Sequence, residues 1–454
     1  MSSPSHGTVI VRDPVHGDIE LTREEIRVID TPQFQRLRGI KQLGTAYLVF
    51  PGAVHTRFEH SIGTLHMTER LIQAINRNAE RDPTTCRKIV DDERRLLRFA
   101  ALLHDITHIP FGHNIEDQTG LLPRHDEPSR FVAMLGANEL GDALRELHVH
   151  DDVLTILAGK RGDTPQFMQQ LLSDTIDSDL LDYLRRDAYY TGLELHYDSR
   201  VTGYFRIDPA TEAMFVDCEK EGMLREDIVS ELMRLLETRY HFSERVYYHH
   251  AKVAAGALLA RMVELAMRSG GLTAEELLES TDQSLLFQLA RVDLGSAGAN
   301  ERMHRFTTRF AGRKLPKRVL VLPAYLNHDV QDELLATYFE PGKPEARFAW
   351  ETEMEEAARR EFGKDMDVIM YCPARSMQLK EARTLVRMPG TGERTVPMSD
   401  FAGEIPRLTD LQDSYLRLWK LYVLTSEPDR AVRQRLQTLC LERLPDGCVN
   451  GLRL

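Results

Sequence analysis

Cysteine is scarce in this 454-residue chain: Cys86, Cys218, Cys372, Cys440 and Cys448 are all there are, widely spaced and without a CxxC pair. An odd, scattered set argues against a disulfide framework and fits a reducing cytoplasm. Positive charge is in deficit, with 58 Lys and Arg against 70 Asp and Glu and a formal net charge of -12. That balance argues against a general polyanion-binding surface, so nucleic acid is not expected as the main partner, while a locally basic pocket for a small phosphorylated metabolite stays admissible. No uncharged apolar run approaches the roughly 20 residues that span a bilayer, and the opening MSSPSHGTVIVRD lacks the basic and apolar regions of a signal peptide. A soluble protein with no membrane partner is expected. No fixed-period repeat or low-complexity segment interrupts the chain, and charge runs such as EMEEAARREFGKD read as solvated helix faces.

What is present is helix. The length exceeds the usual ceiling for one hydrophobic core, which predicts a large domain with a smaller lobe. After a polar tail over residues 1–7, the run TVIV, a DPVHGD turn and IEL read as a hairpin over 8–21. TREEIRVID, PQFQRLRGIKQLG, TRFEHSIGTLHMTERLIQAINRN, DDERRLLRFAALLHDITH and EPSRFVAMLGANELGDAL then place apolar residues at three- and four-residue spacing, as helices do. Further helices are predicted over 151–159, 165–193, 224–237 and 243–269, with RIDPATEAMFVD as a small β element between them. Beyond about 270, GGLTAEELLES and DQSLLFQLARV are helical, GSAGAN reads as a flexible loop, and RVLVLPAYL and DVIMYCPA read as strands. The expected fold is mainly α, with a helical core over 8–265, small β hairpins, and a C-terminal α/β lobe over 266–454.

Within that core, AALLHDITHIPFGH collects His104, Asp105, His108 and His113 in ten residues behind an apolar helical run. On a continuous helix, His104 and His108 share a face, with Asp105 rotated by one position toward the same cleft and Pro110 ending the helix. Imidazole and carboxylate together suit a divalent ion such as Mn, Fe, Ni or Zn, whose Lewis acidity lets water attack at neutral pH. The implied chemistry is hydrolysis. In PGAVHTRFEHSIG, Arg57 and His60 stand three apart, and His60 is a candidate third ligand. DSDLLDYLRRDAYYTG spaces Asp179, Asp182, Tyr183, Arg186 and Asp187 as one polar helical stripe, which is either a functional face or an exposed one with internal Asp-Arg pairs.

Taken together, VRDPVHGDIEL, VIDTPQFQRLRGIKQLG, FPGAVHTRFEHSIGT, ALLHDITHIPFGHNIED, HDEPS, DLLDYLRRDAYYTG and RYHFSERVYYHHAKVAAG resemble the HD-domain phosphohydrolase superfamily, specifically its deoxynucleoside triphosphate triphosphohydrolase branch. They run in family order over roughly residues 8–265. The N-terminal sterile-alpha-motif domain of some members is not seen, so a compact bacterial-type member is expected. The resemblance implies a helical HD core, with His60, His104, Asp105 and Asp179 as the metal ligands. It implies active-site histidines at His108, His113 and His125, with Glu116 where an acidic partner stands, normally aspartate.

The implied reaction releases deoxynucleoside and inorganic triphosphate, which requires a histidine to protonate the departing 5′-oxygen. His108 or His113, oriented by Glu116, is expected to do so. Arg57 and Arg239 match phosphate contacts, each with a salt bridge as its structural alternative. Gln42 and Leu43 match positions that exclude a ribose 2′-hydroxyl, Tyr183 and Asp187 match sugar contacts, and Tyr247 and Tyr248 would bound the base or belong to the core. Leu180 stands where better-known relatives carry a lysine for the triphosphate, so another cation or Mg2+ must neutralise that charge. Asp30, Gln35 and Arg38 match residues that bind a guanine nucleotide activator at a subunit interface, implying allostery in a homotetramer or homodimer. Two activator-site lysines are replaced, by Val9 and His250, and Arg206 and Arg225 are candidates to contact phosphate instead. The alternatives are another HD-type phosphohydrolase, such as a 5′-nucleotidase or phosphodiesterase, and a non-catalytic nucleotide sensor.

Overall fold

A computed structural model describes residues 7–119, 122–160, 162–372, 382–392 and 394–454. Of the expected tail, residues 1–6 lie outside the described residues, as does the end of the DVIMYCPA segment. The fold is mainly α, as the periodicity predicts. Strands β1 (Val9–Asp13) and β2 (Gly17–Leu21) form the expected hairpin, with Val9 opposite Leu21. Helices α1 (Arg23–Ile29), α2 (Pro32–Gln35), α3 (Arg57–Arg81), α4 (Asp91–Leu103) and α5 (His113–Thr119) follow, then α6 (Pro128–Met134), α7 (Glu139–Glu146), α8 (His150–Ala158), α9 (Gln166–Gln170) and α10 (Ser178–Thr191). After β3 (Phe205–Ile207), β4 (Met214–Asp217), β5 (Glu219–Lys220) and β6 (Met223–Leu224) come α11 (Glu226–Phe242) and α12 (His250–Arg268). The C-terminal part holds α13 (Ala274–Glu279), α14 (Asp282–Leu289), α15 (Ala297–Ala311), β7 (Lys317–Pro323), α16 (His328–Tyr338), α17 (Glu345–Phe362), β8 (Val368–Tyr371), β9 (Leu385–Arg387), β10 (Val396–Pro397), α18 (Pro406–Leu416), β11 (Lys420–Thr425) and α19 (Arg430–Leu441).

Helix α3 is the spine. Glu59 reaches back to Thr56 N at 2.6 Å to cap its start, and Phe58, Ile62, Leu65, Leu71, Ile72 and Ile75 are buried along it against α4 and α10. Each such side chain contributes roughly 1.5–3 kcal/mol by leaving water. Gly63 permits the closest approach: a Cβ there would overlap Asp182 Oδ1 and Arg186 Nη2 of α10. Gly63→Ala is therefore expected to destabilise the protein by about 3 kcal/mol. A shift of the urea midpoint measures it, and an unchanged midpoint would refute this packing.

Several predicted helices are shorter than their periodicity. The stretch 165–193 divides into α9 and α10 because Asp177 accepts from Leu180 N and starts a new helix. The 127–144 stretch breaks before Asn138, whose side chain caps α7 by accepting from Gly141 N. PQFQRLRGIKQLG gives only one α turn and a 3-10 turn before Lys41 bridges Thr56. The 243–269 stretch opens with a π turn over Ser243–Tyr247 before α12 begins. GSAGAN is not a flexible loop throughout, since Ser296 accepts from Ala299 N and its last residues begin α15.

The predicted strands β7 and β8 flank β11, the central strand of an antiparallel sheet, which lies outside the elements expected from the sequence. The second sheet runs β10-β9-β4-β3, and β9 pairs in parallel with β4, far away in sequence, with Asp217 opposite Arg387. Next to β9, Thr384 Oγ1 accepts from Ile176 N at 3.2 Å, so the C-terminal part touches the loop ahead of α10. Among the described residues no helix is long and apolar enough to cross a membrane.

Candidate metal centre and active site

Three segments bring four donors together. His60 points in from α3, His104 is the C-cap of α4 with Asp105 in the turn after it, and Asp179 lies in the first turn of α10. His60 Nε2 stands 2.9 Å from Asp179 Oδ1, 3.2 Å from His104 Nε2 and 3.5 Å from Asp105 Oδ2. His104 Nε2 is 3.6 Å from Asp105 Oδ1 and 3.8 Å from Asp179 Oδ1. One expectation is corrected: α4 ends at Leu103, so His104 and His108 are not neighbours on a helix face. A turn carries Asp105 and His108 inward, and Arg36 fixes it by donating to Ile106 O at 2.8 Å.

The residues fit a divalent cation on two counts. Both imidazoles have their Nδ1 committed, His60 to Asp182 Oδ2 at 2.7 Å and His104 to Ala101 O at 2.8 Å, which leaves both Nε2 lone pairs for an ion. The cluster also wants positive charge. Burial opposes protonation of His60, yet its bonds to Asp179 and Asp182 carry it up to about 10, and Asp105 and Asp179 draw His104 upward against burial. Burial pushes the Asp105 carboxyl up, but Arg57 at 2.5 Å, with His104 and His108, holds it well below its ordinary range.

Behind the donors lies a buried shell that no single motif announces. Asp182, on the same stripe as Asp179, receives His60, Arg186 through both Nε and Nη2 at 2.9 Å, and His16 Nε2 at 2.6 Å. Arg186 also donates to Asp13 at 2.8 Å. Asp13 in turn shapes the DPVHGD turn by accepting from Val15 N and His16 N. The i, i+4 spacing of Asp182 and Arg186 was the available signal.

The second histidine group stands beside the first. His108 Nε2 is 3.2 Å from Asp105 Oδ1, its ring stacks on His125 at 3.8 Å between centroids, and His113 lies edge-on to His108 and His125 at 5.3 and 4.9 Å. Glu116 Oε2 pairs with His125 Nδ1 at 3.2 Å and stands 3.9 Å from His108 Nδ1, so its hydrogen bond serves His125 before His108. Arg130 donates to Glu116 Oε1 at 3.0 Å and to Thr107 O. Burial, with Arg57 and His125 nearby, pushes His108 well below its ordinary value and keeps it neutral.

Both groups open on a cavity of about 430 Å³. Gln42, Leu43, Arg57, Tyr183, Asp187, Arg239, Tyr247 and Tyr248 all line it, alongside Asp105, His108, His113, His125 and Asp179. Arg57 is held by Asp105, so the salt bridge foreseen as its alternative is formed. Tyr247 donates to Asp187 Oδ2 at 2.7 Å, and His55 Nε2 pairs with the other oxygen at 2.9 Å, so the Tyr247 hydroxyl orients that carboxylate while Tyr247 lines the cavity. Asn114, Lys252 and Tyr371 were not foreseen in this wall. They come from segments whose apolar periodicity masks them.

The candidate activator residues do not form one cluster within the chain. Gln35 accepts from Arg38 Nε at 2.8 Å and Arg38 covers the Phe58 ring, with Asp30 exposed at the end of α1. Arg206 instead reaches Thr85 and Asp217, and Arg225 pairs with Asp227. A second cavity, of about 340 Å³, is lined by His250, Arg313, Lys317, Arg318 and Arg433.

The family described as HD domain matches residues 57–187, and the HD associated region matches residues 213–441. The chain is 34% identical over 261 residues to the uncharacterized protein YwfO of Bacillus subtilis, covering 57% of this chain and 55% of that protein. It is 26% identical over 471 aligned positions to the deoxynucleoside triphosphate triphosphohydrolase SAMHD1 of Gallus gallus, covering 90% and 74%. Against the Homo sapiens SAMHD1 it is 31% identical over 270 residues, covering 53% and 42%. The chain thus spans about half the length of YwfO and of the human protein, and three quarters of the chicken one. The matched span holds His60, His104, Asp105 and Asp179, and with the associated region behind it the chain belongs to the HD-domain phosphohydrolase superfamily.

Proposed function

We propose that this protein hydrolyses deoxynucleoside triphosphates to deoxynucleoside and inorganic triphosphate in a metal-dependent reaction. The observation that carries the reading is a donor quartet whose Asp105 and Asp179 face a cavity lined by three further histidines and by Arg57, Arg124 and Arg239. A divalent ion held by His60, His104, Asp105 and Asp179 would supply Lewis acidity at phosphorus and a water nucleophilic at neutral pH. Around it, Arg57 and Arg239 bind phosphate oxygens, and Lys252 supplies the charge that Leu180 lacks, with Mg2+ on the phosphates completing it. As the new bond from water oxygen to the α-phosphorus forms, the bond from phosphorus to the 5′-oxygen breaks. His113 or the neutral, stacked pair His108 and His125 relays the proton that the 5′-oxygen takes up, with Glu116 and Arg130 holding the rings. Gln42 and Leu43 close on C2′, and Tyr183 and Asp187 face the sugar.

Activation by nucleotide in a homotetramer or homodimer belongs to the same reading. Its support is the second cavity, whose four cationic side chains suit a polyphosphate and which includes His250, the position where an activator-site lysine is replaced. Chromatography of products after incubation with the four deoxynucleotides, singly and mixed, with Mn2+ or Mg2+, tests both. Deoxynucleoside with triphosphate is the expected pair, and turnover only in mixtures marks activation. Release of phosphate or pyrophosphate would assign a different HD-type hydrolysis, and binding without turnover would assign a sensor.

A further inference from the structure

Asn114 is a buried amide on α5, next to His113, and it lines the cavity. Its Oδ1 accepts from Thr45 N at 3.3 Å. Two positions without side chains grip it from opposite sides. Gly44 adopts the left-handed region at φ 54°, where a Cβ would overlap Asn114 Oδ1 and come within 3.0 Å of Phe111 O. A Cβ at Gly256, on α12, would stand 2.6 Å from Asn114 Nδ2 and 3.4 Å from the Tyr371 hydroxyl. Real Cβ atoms do not come that close to a nitrogen, so a methyl at either glycine must displace the amide. One side chain therefore fixes three walls of the cavity relative to one another: the Gln42-Leu43-Gly44 segment, the helix that carries His113, and the α12 turn that carries Lys252 and Val253.

We propose that Asn114 is a positioning residue for sugar selection, holding the Leu43-Gly44 wall at the distance from His113 that admits a deoxyribose and rejects a ribose. This rests on the nucleotide reading given above. A wall that excludes one hydroxyl by contact discriminates only while it cannot retreat, because a displacement of a few tenths of an ångström makes the room required. An amide suits the task better than an apolar side chain of equal volume. Its bond to Thr45 N fixes direction as well as distance, and a buried N–H resists losing its acceptor.

The test compares kcat/KM for each of the four deoxynucleoside triphosphates with its ribose counterpart in the wild type, Asn114→Ala, Gly256→Ala and the double variant. Asn114→Ala is expected to raise the ribose-to-deoxyribose ratio about tenfold, mainly through KM for the ribonucleotide. Gly256→Ala should shift the ratio in the same direction on its own. In the Asn114→Ala background it should add nothing, since the group it displaces is gone. An unchanged ratio in Asn114→Ala, or independent and additive effects of the two substitutions, overturns the proposal. If the wild type hydrolyses neither sugar, the function reading falls and equilibrium dialysis of the same eight nucleotides in EDTA decides the sugar claim. A wild-type preference for deoxyribose that Asn114→Ala erases upholds it, and no preference, or one the variant keeps, refutes it.

Discussion

Replacing Asp105 by alanine is expected to reduce kcat/KM on the order of a thousandfold and to empty the metal centre. Two separate losses produce this. Asp105 faces His60 and Arg57 with Oδ2, and His104 and His108 with Oδ1, so its removal takes away a donor and the partner of a buried guanidinium together. A buried cation stripped of its carboxylate costs about 3–5 kcal/mol, enough to displace the Arg57 side chain as well as to lower the melting temperature. Asp105→Asn separates the two. It keeps the volume and one acceptor oxygen for Arg57, while the charge that balances a divalent ion is lost. Metal content by inductively coupled plasma mass spectrometry on purified protein should fall in both variants, and the melting temperature should fall further in the alanine one. Retained metal with turnover within tenfold of wild type in Asp105→Ala would remove Asp105 from the centre.

The pair His104-Asp105 and the third donor His60 were legible because metal-binding side chains stand out against apolar helical runs. Asp179 was legible only as part of a polar stripe that an exposed face would equally show, and family resemblance singled it out. The geometry was less legible. Periodicity carries α4 through to His108, but the chain turns at His104 because partners distant in sequence hold the turn. Arg36 takes Ile106 O and Arg130 takes Thr107 O, from positions 70 and 23 residues away. No local pattern encodes such bonds. GSAGAN misled for the opposite reason, since small residues read as flexibility while one serine with an open side-chain oxygen is enough to start α15.

The same contrast runs through the cavity. Gln42, Leu43, Tyr183, Arg239 and Tyr247 were named from motifs and do line it. Tyr371 reaches it from β8, in a run of four buried residues that reads simply as a core strand. Lys252 was hidden in the same way by the apolar face of α12. The central strand β11 escaped notice although KLYVLT has the composition of a strand, because the 406–419 helix and turn before it give no sheet partner to pair it with locally.

Asp182→Ala should be the most destabilising single change in the core of the site while leaving all four donors in place. Asp182 is wholly buried and accepts from Arg186, His60 and His16, and burial, which would raise its carboxyl, is overcome by those three so that it lies well below its ordinary range. The alanine variant leaves Arg186, wholly buried, with Asp13 as its one remaining carboxylate. A loss of about 3–5 kcal/mol is expected, read as the change in urea midpoint at constant slope. The functional effect is separate. Without an acceptor on Nδ1, the His60 ring loses both its tautomer and its angle, and metal affinity should drop by roughly 10–100-fold. Asp182→Asn keeps an oxygen for one of the three donors and should fall between the two in stability, with metal affinity still reduced. Titration of the apoprotein with Mn2+ gives that affinity directly. A variant as stable as wild type, binding Mn2+ equally well, would show that the Asp13, His16, Asp182 and Arg186 shell does not orient the centre, and that the tautomer of His60 is set elsewhere.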